Sequence, residues 1–233
     1  LLNLSFLEND DEHGGDRYLY SLTDRRRLFD SKGSTITSFI SYSRVSDLEY
    51  FDDFGNSLST TSQSSVKRDI RLYGEKYFED GVIDYEISSL SYQPSQPGVS
   101  NQYKTKPSLK LNISNSSQYE TVRYNLKTSI DEFSHEDSSK VEGTRYLAYP
   151  SIEMPITTEG WELVPKLGVR YVDYSLENNS SSESKTTPIA SLRGKLYFEK
   201  NVGNKLYTME PEAYLLYIPV GNQDSNPIFD SGI

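Results

Sequence analysis

The last third of the chain contains the run Tyr207-Thr-Met-Glu-Pro-Glu-Ala-Tyr-Leu-Leu-Tyr-Ile-Pro-Val220. Successive side chains of a β-strand point to opposite faces, so alternate residues of this run share a face. One face reads Met209, Pro211, Ala213, Leu215, Tyr217, Pro219, and the other reads Glu210, Glu212, Tyr214, Leu216, Ile218. The run therefore predicts a strand with glutamates in water at one end and an apolar side that contacts either a protein core or lipid.

The same period of two recurs along the whole chain. From Val122 to Asp131 no position breaks the alternation between apolar and polar residues, which is a strong strand signal. Several segments can reach the ~10 residues that a tilted membrane strand needs. We predict about eleven strands, near residues 1–8, 16–28, 35–47, 64–78, 81–93, 103–114, 119–133, 141–157, 160–177, 187–200 and 204–219. No helical periodicity and no internal repeat is present.

The connectors between these segments alternate in character. Short, turn-forming ones fall at Glu79–Gly81, Thr158–Gly160 and Asn201–Asn204. Long polar ones fall at Phe51–Ser65, Pro94–Gln102, His135–Lys140 and Glu177–Thr187, and the last contains the serine-rich stretch Asn178–Ser184, a predicted mobile loop tip. Short turns at one edge and long loops at the other indicate an antiparallel up-and-down transmembrane β-barrel.

Composition narrows the class of protein without deciding it. The chain has 233 residues and a net charge of -10, and its mean hydropathy is -0.65. No apolar run approaches the ~20 residues of a membrane helix. The 19 Tyr and 9 Phe suit the aromatic girdles of a barrel, although a soluble β-sandwich is also rich in Tyr and Thr. The acidic balance argues against nucleic-acid binding, and the lack of Cys excludes a disulfide or thiolate site.

Residues for catalysis are sparse. The two histidines, His13 and His135, lie in predicted acidic loops and far apart in sequence, so we expect solvated surface residues. No nucleophile elbow or phosphate-binding glycine loop is present. The pairs Asp10-Asp11 and Asp52-Asp53 are expected to be solvated turn residues. We therefore predict no catalytic residue, no metal and no cofactor.

Five stretches of the chain carry a resemblance to a known family. They are Leu4–Asp10 followed by the start of the next strand at Asp16–Tyr18, then Tyr42–Phe54, Tyr149–Pro155, Thr208–Pro219 with Gln223 beyond it, and Pro227–Asp230. Together they resemble, in order, the motifs of the LPS-assembly protein family of the Gram-negative outer membrane (LptD, also called the organic solvent tolerance protein family). The resemblance covers essentially the whole chain. It departs at Glu212, where the family usually has Arg.

The resemblance implies a domain organisation. Residues 1–233 would form part of one outer-membrane β-barrel domain, a fragment of about eleven strands from a larger barrel of about 26 strands. The family's N-terminal jellyroll, its first and last barrel strands and its cysteines would lie outside the chain. Three features agree with the expectation of an internal fragment. The first residues, from Leu1, do not have the pattern of a signal peptide, and no proline precedes Pro94. The chain ends at Phe229–Ile233 without a closing aromatic strand.

The resemblance also implies a function. The protein would be a non-enzymatic translocon component that inserts lipopolysaccharide (LPS) into the outer leaflet of the outer membrane. Its partners would be LPS, a plug lipoprotein of the LptE type inside the barrel and, through the absent jellyroll, a periplasmic LPS bridge of the LptA type. Two alternatives stay open, namely a porin or receptor-type outer-membrane barrel, and a soluble β-sandwich or adhesin.

Alternation identifies the side chains that would face the barrel lumen, where they could contact the plug or saccharide. They are Arg123, Asn125, Lys127, Lys166, Arg170, Arg193, Lys195, Glu199, Glu210 and Glu212. A second hypothesis concerns the acidic loop residues Asp52, Asp53, Glu136 and Asp137, which could share divalent cations with LPS phosphates.

Overall fold

The computed structural model describes residues 1–12, 14–54, 64–115, 121–177, 183–221 and 226–230. In these ranges the chain forms strands and one short helix. The strands are β1 (Leu2–Asp10), β2 (Gly15–Ser31), β3 (Ser34–Val45), β4 (Ser65–Phe78), β5 (Gly81–Pro94), β6 (Lys104–Asn115), β7 (Arg123–Ser134), β8 (Gly143–Glu153), β9 (Ile156–Thr157), β10 (Trp161–Leu176), β11 (Glu183–Leu196), β12 (Phe198–Val202), β13 (Lys205–Met209) and β14 (Glu212–Tyr217). The helix α1 spans Tyr50–Phe54.

One antiparallel sheet contains nearly all of these strands. Its order is β1-β2-β3-β4-β5-β6-β7-β8-β10-β11-β14, and the two-residue β9 pairs with β10 beside β8. The predicted all-β, up-and-down architecture of about eleven main strands is confirmed. The described part of the sheet does not close on itself, as expected for a piece of a larger barrel.

The last predicted hairpin is interrupted. The strands predicted over 187–200 and 204–219 each break, at Tyr197 and at Glu210–Pro211, so β12 and β13 form a separate two-stranded sheet. Pro211 has no N–H to give to a ladder, and its carbonyl accepts a hydrogen bond from the Leu196 N–H at 3.0 Å. Beyond this break, β14 rejoins the main sheet by pairing with β11.

Three further expectations need correction. The segment 141–157 is two strands, β8 and β9, and β11 begins at Glu183, inside the predicted loop Glu177–Thr187. Residues 178–182 of the predicted loop tip lie outside the described residues. The predicted loop from Phe51 begins inside a helix, because Asp47 Oδ1 accepts a hydrogen bond from the Glu49 N–H at 3.0 Å and satisfies a backbone donor just before α1.

The two faces of the sheet differ. The face that carries Arg25, Glu86, Lys110, Lys127 and Arg145 surrounds a hollow of about 770 Å³, and we call it the concave face. The opposite, convex face carries large apolar side chains that no part of the described chain covers, including Leu4 at 72%, Leu167 at 62% and Leu215 at 67% exposure. An apolar surface that spans a whole sheet is typical of contact with lipid.

The connectors divide between two edges of the sheet. The turns between β2 and β3 and between β4 and β5, and the β12–β13 hairpin, lie at one end of the strands, which we call the short-turn edge. The connections around α1 and those after β5, β7 and β10 lie at the other end, which we call the long-loop edge. Within the described ranges, no helix has the length and apolar character needed to cross a membrane.

Candidate functional site

The concave face is a charged wall built by strand alternation. On β7, Arg123, Asn125 and Lys127 share one face, and the ladder places Arg123 opposite Glu153 of β8. Glu153 in turn lies opposite Lys166 of β10. Directly opposed residues of antiparallel strands point to the same side of the sheet. The register therefore extends one polar face across successive strands.

Most of the predicted lumen-facing residues lie together on this face. The eight that the ladder places there are Arg123, Asn125, Lys127, Lys166, Arg170, Arg193, Lys195 and Glu212. The other two lie elsewhere. Glu199 belongs to β12 in the separate hairpin, and Glu210 lies in the break before β14, where its carboxylate is 2.6 Å from Lys195 Nζ. The break at Tyr197 and Pro211 removes both glutamates from the alternation that grouped them with the others.

Acidic residues on neighbouring strands balance these cations. Glu153 lies 3.5 Å from Arg123 and 3.7 Å from Lys166, and Glu162 lies 3.3 Å from Arg193. Both acids alternate with apolar residues on their strands, which is the signal that could have identified them from sequence. The paired groups remain partly exposed, so each pair contributes little to stability and the wall stays hydrated.

Further polar residues continue the wall from β5 to β7. Asn125 donates a hydrogen bond to Asn112 at 2.6 Å, and Asn112 donates to Asp84 at 2.7 Å. Two residues farther along these strands, on the same face, Lys110 donates a hydrogen bond to Glu86 at 3.1 Å. The hollow next to them is lined by both charge signs and by hydroxyls, including Arg25, Arg27, Glu75, Asp84, Ser88, Thr128 and Asp131. Such a lining suits a hydrated polar ligand better than an apolar one.

At the long-loop edge, Arg17 of β2 links the end of β1 to the connection between β3 and β4, which contains α1. Its guanidinium contacts Asp10 at 3.3 Å, Asp47 at 2.9 Å and Asp53 at 2.7 Å, and the Arg17 side chain is only 3% exposed. It also lies over the Phe54 ring, 4.7 Å from the ring centroid. Asp10, whose side chain is 13% exposed, is therefore not the solvated turn residue we expected, because it is drawn toward a cation of β2. Asp53 contacts the same cation but stays 44% exposed, as expected for a solvated residue.

An apolar cluster lies below this cation. Leu19, Val45, Tyr50, Phe51 and Val66 are buried against one another, with Phe54 beside them. Burial of Tyr50 and Phe51 anchors α1 to β2 and β3. Burial alone would raise the pKa of Asp47, but hydrogen bonds from Arg17 and Ser46 outweigh it, and the pKa lies below the ordinary 3.8. The Asp47 carboxylate is thus held in the charged form that pairs with Arg17. We call Arg17 together with Asp10, Asp47 and Asp53 the Arg17 clamp.

A second cluster lies on the concave face near the long-loop edge, on strands farther along the sheet. Phe229, beyond β14, stacks on Phe133 of β7 with ring centroids 4.5 Å apart. Val172 and Tyr174 of β10 are buried with them. Arg145 contacts Asp131 at 3.1 Å and Asp230 at 2.9 Å, which ties the segment 226–230 to the concave face. Alternation does place Phe133 on the polar face, but nothing local in the sequence pairs it with Phe229.

Polar residues of the connection between β7 and β8 have partners within the chain. His135 accepts a hydrogen bond at Nδ1 from the Asp137 N–H at 3.0 Å, and its Nε2 lies 3.0 Å from the Asn101 carbonyl oxygen. Glu136 is bonded to Lys104 at 2.5 Å, and this cation lowers the pKa of Glu136. His13 lies outside the described residues. In the part of the chain that the structure describes, no three acidic or histidine side chains are grouped to hold a metal ion, so the cation hypothesis gains no support.

Comparison with known proteins adds the family. The model of a family described as LptD, LPS transport system D, matches residues 16–232. The chain belongs to the LptD family. Gln223, which completes one of the family motifs, lies outside the described residues. Family membership locates the protein in the outer membrane of a Gram-negative bacterium.

Curated relatives agree with this assignment. The chain is 32% identical to the LPS-assembly protein LptD of Nitrosospira multiformis, over 85% of the chain and 23% of the relative. It is 27% identical to that of Aromatoleum aromaticum, over 98% of the chain and 29% of the relative. It is 29% identical to that of Bordetella avium, over 98% of the chain and 31% of the relative. The chain thus spans less than a third of the length of these LptD proteins.

The family assignment bears on the alternatives. The relatives carry the name LPS-assembly protein, and the comparisons give no support to the porin, receptor, sandwich or adhesin alternatives. The structure shows which residues surround Glu212, where the sequence departs from the family's usual Arg. Glu212 lies opposite Lys195 in the ladder between β11 and β14, while Lys195 bonds to the neighbouring Glu210. An acid at position 212 therefore adds a second carboxylate beside one lysine.

Proposed function

We propose that the full-length protein inserts LPS into the outer leaflet of the outer membrane, and that residues 1–233 are part of its single barrel domain. The observation that carries this proposal is the division of one sheet into a charged concave face and an apolar convex face, in a chain of the LptD family. The convex face contacts lipid, and the concave face is the wall along which the saccharide of LPS passes.

The chemistry of the concave face supports this role. LPS saccharides are polar and carry phosphates, so they move best along a surface that offers both hydrogen-bond donors and cations without trapping either. The half-exposed pairs around Glu153 and Glu162 can exchange partners with a passing ligand, because each pair is weak in water. The eight grouped residues would contact saccharide or a plug lipoprotein of the LptE type. A periplasmic bridge of the LptA type would deliver LPS through the jellyroll domain, which the family resemblance assigns to the rest of the protein.

Site-specific crosslinking in the full-length protein tests the proposal. A photo-reactive residue at Lys127, on the concave face, should crosslink to the plug lipoprotein or to LPS in living cells. The same residue at Ile130, on the convex face of the same strand, should crosslink only to lipid of the surrounding membrane. Depletion of the protein should also lower surface LPS.

Two results would contradict the proposal. Surface LPS that stays unchanged on depletion would remove the transport role. Equal crosslinking of Lys127 and Ile130 to the plug lipoprotein would show that the concave face is not the lumen wall.

A further inference from the structure

A group of arginine and tyrosine side chains lies on the convex face at the long-loop edge. It consists of Tyr18 and Tyr20 of β2, Tyr42 and Arg44 of β3, and Arg68 of β4, and we call it the arginine–tyrosine patch. The ladder places Tyr20 opposite Arg44 and Tyr42 opposite Arg68. Arg44 and Arg68 are therefore diagonal neighbours on adjacent strands, a spacing of roughly 7–8 Å between backbones.

The tyrosine rings stack on one another beside the two arginines. The rings of Tyr18 and Tyr20 stack with centroids 5.7 Å apart, and those of Tyr20 and Tyr42 stack at 6.1 Å. The guanidinium of Arg68 lies over the Tyr42 ring, 5.4 Å from its centroid. Arg68 Nε donates a hydrogen bond to the Ser43 carbonyl oxygen at 3.2 Å, and another nitrogen donates to Gln93. Arg68 is thus fixed in position, with its charge near the membrane-facing side of the sheet.

Both arginines of the patch lack a carboxylate partner within the described residues, as do Arg25 and Arg170 on the concave face. Of the eleven arginines in the sequence, seven form an ion pair with an acid within the described residues: Arg17, Arg26, Arg27, Arg71, Arg123, Arg145 and Arg193. Neither Arg44 nor Arg68 does so in the part of the chain that the structure describes. The electrostatic neighbours of exposed Arg44 are the phenol groups of Tyr18, Tyr20 and Tyr42. Glu136 lies within the field of Arg68 but is already bonded to Lys104.

The position of the patch indicates what neutralises it. On β3 and β4 the same face continues toward the short-turn edge as an apolar band, where Ile40 lies opposite Ile70 and Ile36 lies opposite Gly74. On the neighbouring β2 this face carries the ion pair between Asp24 and Arg26. Tyrosines directly beyond such a band mark the depth of lipid headgroups. Guanidinium groups bind phosphate through paired, charge-assisted hydrogen bonds. We propose that Arg44 and Arg68 bind a phosphate group of an outer-leaflet glycolipid from the membrane side, as a site separate from the concave wall.

This inference rests on the proposed function and places the long-loop edge at the outer leaflet, because outer-membrane barrels have short periplasmic turns and long extracellular loops. A lipid bound here would stay in contact with the outer surface of the barrel in that leaflet. The stem of Arg68 and the tyrosine rings would contact the upper acyl chains, while the two guanidinium groups hold the phosphate. The site therefore selects a phosphorylated glycolipid over an uncharged one.

Lipid titration of the full-length protein tests the site. The protein, purified in detergent with its natural partners and freed of lipid, is titrated with bisphosphorylated lipid A, dephosphorylated lipid A and inorganic phosphate, and bound lipid is counted by native mass spectrometry. The Arg44→Gln/Arg68→Gln variant should bind bisphosphorylated lipid A about tenfold more weakly than the parent, because it loses charge-assisted hydrogen bonds. The Arg44→Lys/Arg68→Lys variant should retain part of the binding.

A matched control removes the same charge from the same face. Arg26→Gln/Lys76→Gln changes two exposed residues of β2 and β4 near the short-turn edge, and it should leave binding unchanged. Equal losses in both double variants would overturn the proposal, since net charge would then explain the binding. Inorganic phosphate that competes at the same concentration as lipid A would overturn the assignment to a lipid headgroup.

Two further points keep the test decisive. If the double Gln variant does not assemble, the single Arg44→Gln variant serves instead, because Arg44 is exposed and its loss opens no cavity. Lipid A binding and surface LPS are separate readouts. Loss of bound lipid A with normal surface LPS would support the patch as distinct from the transport path, and unchanged lipid A binding would refute the patch whatever happens to transport.

Discussion

Arg145 donates hydrogen bonds to both carboxylate oxygens of Asp230, a residue 85 positions later in the chain, at 3.0 and 2.9 Å. The same guanidinium donates to Asp131 at 3.1 Å. One side chain of β8 therefore links a buried acid of β7 to the segment that follows β14. Together with the stacking of Phe229 on Phe133, this link holds the segment 226–230 across the concave face.

The two ends of this link should respond differently to mutation. Arg145→Met leaves Asp131, whose side chain is 5% exposed, without its cation, and the full-length protein should lose about 3–5 kcal/mol of stability in urea titrations in detergent. Asp230→Asn removes only a half-exposed partner and should cost at most about 1 kcal/mol. Asp230→Asn should still speed amide hydrogen exchange over residues 226–230. Equal urea midpoints for the two variants would contradict this account.

The Arg17 clamp should loosen in acid. The pKa of Asp47 is lower in the folded protein than its ordinary 3.8, despite burial, because Arg17 and Ser46 donate hydrogen bonds to it. A depressed carboxyl pKa stabilises the fold fully above the ordinary value, and this stability is lost as pH falls below 3.8 toward the folded-state pKa. The protection of α1 against hydrogen exchange, measured relative to the intrinsic amide rate at each pH, should therefore fall below about pH 4.

Two variants control that measurement. Asp47→Asn should make α1 exchange quickly at neutral pH and flatten its pH dependence, whereas Asp52→Asn, at an exposed position, should leave the profile unchanged. An Asp47→Asn profile that matches the parent would show that another acid governs the clamp.

Arginine should be tolerated on one face of the sheet only. Leu167 of β10 is 62% exposed on the convex face, and Leu167→Arg should cost about 2–4 kcal/mol when the full-length protein folds into bilayers. Ser191→Arg introduces the same side chain on the concave face of β11, opposite Lys166, and should cost much less. Similar costs at both sites, measured by urea titration in vesicles, would refute the assignment of the faces.

A glycine in β4 is required by close approach of two strands. A Cβ at Gly74 would lie 1.9 Å from the carbonyl oxygen of Thr35, which also accepts a hydrogen bond from the Tyr85 hydroxyl at 2.8 Å. Gly74→Ala should therefore cost about 1–3 kcal/mol. At Gly194, a Cβ would meet only Leu163 at 3.7 Å, so Gly194→Ala is the matched control and should change the urea midpoint little.

Strand alternation predicted that the candidate lumen-facing residues share a face, because the period of two is a local property of the backbone, and the ladder groups eight of them. That this face lines a lumen stays a prediction. Alternation grouped Arg123 with Lys127, and Lys166 with Arg170, before their partners were known. It failed at Glu199 and Glu210, because one proline and its accepted hydrogen bond interrupt the hairpin. The sequence indicated turn chemistry for the short connectors but not a break inside the strands.

The long-range clusters could not be predicted from local pattern. Asp10 and Asp53 have the composition of solvated turns, and only the fold brings Arg17 to within 3.3 Å of both. The pairing of Phe133 with Phe229 likewise depends on where the chain returns after β14. Tyr50 and Phe51 of α1 did indicate a buried cluster, since two adjacent aromatic residues in a polar loop are rarely left in water.

The strand order has a consequence for assembly. From β1 to β8 every strand pairs with its immediate neighbour in sequence. Beyond β8 the described strands depart from this rule twice: β10 pairs with β8 as well as with the short β9, and β11 pairs with β14 across the β12–β13 hairpin. Neighbours in sequence meet with little loss of chain entropy. The sheet can therefore be laid down one hairpin at a time, each new strand using the previous one as its template, so that only a single unpaired ladder is exposed at the growing end.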